Sequence, residues 1–142
     1  MHEEYNYKGK LQEYLRLMVR DILRHVTQYG LQGSQHFYIA FSMDHPNVSL
    51  PAFLRKQYPT SMTIVLHNHF DNLQIFQQSF SVDLSFADEI HKITVPFNAI
   101  TYITDPSANF ALEFKADTAE IPNLDSVEKQ DNIIYFPSVE PR

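Results

Sequence analysis

At 142 residues, with 44% hydrophobic and 13% aromatic content, the chain is long enough for one domain with its own core and too apolar to be disordered. A net charge of -6 speaks against a nucleic-acid surface, and the lack of cysteine excludes disulfides, a thiol nucleophile and thiolate metal ligation. No run approaches the roughly 18 apolar residues of a membrane span, and MHEEYNYKGK at the start lacks the basic-then-apolar layout of a signal peptide, so a cytoplasmic protein without membrane or nucleic-acid partners is expected.

Residues 10–29 read as a helix. Leu11, Leu15, Met18, Ile22, Val26 and Tyr29 recur at three- and four-residue steps, joined by Tyr14, Val19 and Leu23. Gly30 supplies the stop as a C′ glycine, with Leu31 placed for the apolar contact that follows such a stop. Arg16, Arg20 and Arg24 share one stripe, which the usual behaviour of charge runs assigns to a solvated face. The apolar stripe is wider than one small sheet needs, which leaves part of it for a second subunit.

Residues 31–114 form a β body. Strands are expected at 36–43, 63–70, 73–78, 80–86, 92–104 and 109–114, because β-branched and aromatic runs alternate there with turn signals. Pro46 and Asn47 mark a turn, 51–59 is one helical turn or a loop, and Asp105-Pro106-Ser107 is another turn. Phe80, Val82, Leu84 and Phe86 alternate with Ser81, Asp83 and Ser85, which predicts a strand with one dry face. One helix followed by about six short strands is α+β, a small and mostly antiparallel barrel-like sheet.

From Lys115 to Asn132 the chain turns acidic and loses its period, with Asp117, Glu120, Asp125, Glu128 and Asp131 against Lys115 and Lys129. That composition predicts a self-repelling linker over 115–132. Ile133, Ile134, Tyr135, Phe136 and Val139 then form a short apolar tail over 133–142. Two readings stay open for it: a last strand returning to the sheet, or a docking peptide for another protein.

Chemistry is sparse. His67, His69 and Asp71 alternate, as a two-His-one-carboxylate metal site would, yet a loop after Phe70 would break the alternation before Asp71. Exposed or groove-lining histidines are the expected role, with a metal- or small-molecule-binding barrel using His67 and His69 as the alternative. Gly9, Gly30 and Gly33 make no phosphate loop, and Ser79, Ser81 and Ser85 lack a nucleophile elbow. Asp83 on a strand and Asp88 at a turn are not a credible acid pair. Nothing points to catalysis or to a cofactor. A small sheet with exposed edges suits capture of an extended peptide.

Three stretches carry a resemblance: TIVLHNHFDNL at 63–73, FSVDLSFAD at 80–88 and VPFNAITYITDPSANFALEF at 95–114. Together they resemble the stringent starvation protein B (SspB) family, most closely its alphaproteobacterial branch. The resemblance implies an open β-barrel behind an N-terminal helix that helps form a homodimer. It also implies a non-catalytic adaptor that binds the tmRNA-encoded ssrA tag and delivers tagged polypeptides to the ClpXP protease. Carried over residue by residue, the tag groove falls on His67, Asn68, His69 and Phe70 and on Leu84, Ser85, Phe86 and Ala87. The same resemblance makes 1–114 the tag-binding domain, 115–132 a linker, and Ile133, Ile134, Tyr135 and Phe136 the contact to the ClpX N-terminal domain. The tail departs from relatives in ending on a single Arg142 and in carrying Pro137 and Pro141.

Overall fold

A computed structural model describes residues 4–68 and 70–114. Helix α1 spans Tyr7–Tyr29, three residues longer at its start than the apolar spacing indicates. The reason is a cap: the Asn6 side chain accepts a hydrogen bond from the Gly9 N–H at 3.0 Å. A Cβ on Gly9 would lie 2.4 Å from that side chain, so the glycine lets the cap close. At the other end Gly30 has φ 75°, a value that favours glycine, and its N–H bonds to the Val26 carbonyl. Leu31 packs against the core, as expected.

Among the described residues seven strands follow: β1 Phe37–Ser42, β2 Ser61–Leu66, β3 Phe70–Ile75, β4 Ser79–Phe86, β5 Glu89–Pro96, β6 Ile100–Asp105 and β7 Phe110–Glu113. A short helix α2, Ala52–Gln57, sits between β1 and β2. The long strand expected over 92–104 is two strands. Pro96 has no N–H to continue a ladder, so β5 ends there and a 3-10 turn at Phe97–Ala99 swings the chain into the other sheet.

The strands form two antiparallel sheets, ordered β2-β1-β6-β7 and β3-β4-β5. They are not closed into a barrel, in keeping with the open form expected. A single bridge between Ser49 and Thr94 lays the 48–50 segment along β5. Between the sheets and α1 lies one core. Leu15, Val19, Leu23 and Val26 of α1 meet Phe37, Ile39 and Phe41 of β1 and Phe80 and Val82 of β4, all buried. At roughly 25 cal/mol per Å2 of apolar surface this burial is the main stabilising term. A register shift between Ala40 and Phe41 pairs Phe41 with Ile100 while Ile39 pairs with Ile103. The bulge lets Ile100 and Ile103, three residues apart, both point inward.

The arginine stripe is not a solvated face. Arg16 donates to the Phe97 carbonyl at 3.1 Å and the Ile100 carbonyl at 3.2 Å, and its guanidinium lies 4.8 Å over the Phe114 ring. Arg20 donates to the Gln77 carbonyl at 3.0 Å. Only Arg24 is exposed as expected. The helix is tied to backbone carbonyls of the 3-10 turn, of β6 and of the β3–β4 turn, contacts that spacing within the helix could not reveal. Asp105 is buried but satisfied, accepting from the Ser107 N–H at 3.1 Å and hydroxyl at 2.6 Å. No helix among the described residues is long and apolar enough to cross a membrane.

Candidate functional site

β2 ends at Leu66, and the chain bends at His67 and Asn68 before β3 begins at Phe70. The turn thus falls ahead of Phe70, and the strand expected over 63–70 stops short. β3 then pairs with β4, Phe70 opposite Leu84 and Asp71 opposite Asp83. The next pairs are Gln74 with Ser81 and Ile75 with Phe80, so β3 carries one extra residue. Asn72, at φ 57°, sits in this bulge. Its side-chain amide donates to Asp83 Oδ2 at 3.0 Å. Two carboxylates directly opposite one another repel. The bulge places an amide donor on one of them, and β5 sets Lys92 in register beside Asp83.

Around these carboxylates lies an open pocket of about 280 Å3, lined by Asn68, Phe70, Asp71, Asp83, Ser85 and Ile90. Because β4 alternates, Asp83 and Ser85 share the face opposite Val82 and Leu84. The pocket is therefore on the outer side of the three-stranded sheet. Its chemistry is apolar at Phe70 and Ile90, acceptor-rich at the two carboxylates, and amphoteric at Asn68 and Ser85. It suits a chain that presents backbone or amide N–H groups beside small apolar side chains.

The candidate residues divide accordingly. Asn68, Phe70 and Ser85 line the pocket together, although they come from two separate stretches. Leu84 is buried in the core, and Phe86 is half-buried against it. Ala87 is exposed in the two-residue turn between β4 and β5, where it and Asp88 adopt φ 51° and 66°. Both positive values mark a primed hairpin turn, normally filled by Asn-Gly. His67 is exposed and faces the other sheet, its ring 5.3 Å from that of His36. His69, Ile133, Ile134, Tyr135 and Phe136 lie outside the described residues. Among those described, no three metal-ligating side chains come together.

Three lining residues lie outside the groove expected from sequence: Asp71, weighed there as a metal ligand, Asp83, weighed as half of an acid pair, and Ile90. Asp83 shares the alternation phase that brings Ser85 out, and that phase was its available signal. Ile90 had none, since its place depends on the turn at Ala87 and Asp88.

The family model for Stringent starvation protein B (SspB) matches residues 10–134. The chain belongs to the SspB family. The match takes in most of α1, the seven strands among the described residues and the acidic stretch beyond them. Membership points to an adaptor role in ClpXP proteolysis and away from catalysis. No match was found among curated proteins.

Proposed function

We propose that this SspB-family protein binds the tmRNA-encoded ssrA tag of stalled-translation products and delivers the tagged chain to ClpXP. One observation carries the reading: the pocket gathers Asn68 and Phe70 with Ser85, the two stretches onto which the family's tag groove maps. Next to it the outer edge of β3 is free of a strand partner among the described residues. An extended peptide can pair with such an edge, while its side chains enter the pocket. Asp71 and Asp83 would accept from backbone or amide N–H groups of the tag. Titration of the full-length protein with a fluorescent ssrA-tag peptide tests this. Saturable binding to one site per chain is expected, and no binding at protein concentrations up to the solubility limit would overturn it.

The adaptor works as a homodimer through α1. Tyr7, Leu11, Tyr14 and Met18 recur along the helix, stay exposed at 77%, 47%, 63% and 37%, and form a stripe beside the buried Leu15, Val19 and Leu23. Such a stripe on a helix end to end is what a two-fold, self-complementary contact uses. Sedimentation at micromolar concentration is expected to show twice the 16.6 kDa chain mass. A Tyr14→Glu, Met18→Glu double variant should shift it to monomer while its fold, read by circular dichroism, stays intact.

Delivery rests on the segment 133–142, with 115–132 as its tether. Two weak contacts joined by a flexible linker raise local substrate concentration, on the order of millimolar for a short linker. Deleting 133–142 is expected to leave tag affinity and melting temperature unchanged and to abolish adaptor-stimulated degradation by ClpXP. A marked fall in melting temperature would instead identify the segment as an integral strand.

A further inference from the structure

The start of β1 and the end of β2 place two histidines side by side outside the tag pocket. Phe37 pairs with Leu66, so His36 and His67 are the next positions in antiparallel register. Their rings lie 5.3 Å apart, centroid to centroid, inclined at 55°. His36 Nδ1 is 2.8 Å from the Ser34 carbonyl oxygen. A carbonyl only accepts, so Nδ1 carries the proton, and the lone pair of the neutral ring is on Nε2. Tyr38, two residues along the same face, holds the His36 ring edge-on at 5.5 Å. His36 is thus oriented by a backbone carbonyl on Nδ1, as metal-ligating imidazoles are, and packs beside an aromatic ring.

We propose that His36 and His67 form a cross-strand chelate for a divalent transition ion of the zinc, nickel and copper group, with water in the remaining positions. The spacing fits. A zinc–imidazole bond is roughly 2.0–2.1 Å, which puts each ring centroid roughly 3.2 Å from the ion and two tetrahedral ligands roughly 5.2 Å apart. Neutral imidazole suits these ions, whereas calcium and magnesium demand oxygen donors. The strand pairing holds both ligands before the ion arrives, so little ordering is left for binding to do. His67 adjoins Asn68, so an ion here would stiffen the turn that leads into the pocket.

The test uses the full-length chain, stripped with a chelator and titrated with zinc chloride in competition with a chromophoric chelator. One equivalent is expected to bind, binding should weaken on acidification as protons compete for the nitrogens, and zinc should raise the melting temperature. His36→Ala and His67→Ala should each weaken binding on the order of tenfold or more, as loss of a metal's protein partner does. His45→Ala, a histidine remote from the pair in sequence, should bind as the parent does. His36→Gln keeps a polar side chain at the strand start and serves if the alanine variant unfolds. An absence of zinc binding, or binding unaltered in a folded His36 variant, would overturn the proposal.

Discussion

The two sheets differ in regularity. The four-stranded sheet pairs β1 on both sides and puts Phe37, Ile39 and Phe41 into the core, each at most 2% exposed. Its single register shift serves packing, since it turns both Ile100 and Ile103 inward. The three-stranded sheet carries more departures: a bulge at Asn72, two opposed carboxylates, two positive-φ residues at 87 and 88, and a buried Ser81 hydroxyl without a protein partner, against the register shift and Asn109 at φ 54° in the other. The pocket lies on that sheet alone. The bulge is what brings the Asn72 amide to Asp83, while Ser85 comes out by alternation. One sheet supplies burial, and the other gives up some regularity for a binding face.

The sharpest test of that contrast is Phe41→Ala in the four-stranded sheet. Removing a fully buried ring should cost about 3–5 kcal/mol, read as a fall in the urea midpoint. A loss below about 1 kcal/mol would mean this sheet does not dominate stability. In the three-stranded sheet, Ser85→Glu should leave the melting temperature within a degree or two, because Ser85 is exposed, a setting where substitutions stay near ±0.5 kcal/mol. It should nonetheless weaken tag binding about tenfold or more, by adding a third carboxylate and bulk beside Asp71 and Asp83. Equal tag affinity in the folded variant would take the pocket out of the reading. The smallest effect is expected at the hairpin turn. Ala87→Gly removes a Cβ from a left-handed position and should stabilise by about 0.5–1 kcal/mol, with tag binding unchanged. Destabilisation there would show that the turn is not strained as its backbone angles indicate.

Local chemistry was legible where one short-range rule decides it. Gly30 stops α1, Asp105-Pro106-Ser107 turns, and Ser85 comes out of β4 by simple alternation, whereas the break at Pro96 was missed within the strand expected over 92–104. Ser81 shares the phase of Ser85 and yet is buried, because alternation assigns a face and not what covers that face. Of the candidate groove, Asn68, Phe70 and Ser85 were found in one pocket, while Leu84 serves the core and Ala87 the turn.

The amino-acid sequence by itself determined the α+β class, the helix and its stop, the strand phases and the family, since each rests on periodicity or on residues close together in the chain. Only the tertiary structure decided that Arg16 and Arg20 bind backbone carbonyls, that the strands divide into two sheets, and that His36 stands beside His67. Those facts depend on register and on bulges. Register is a relation between distant segments, and one extra residue at Asn72 changes which side chains meet across it.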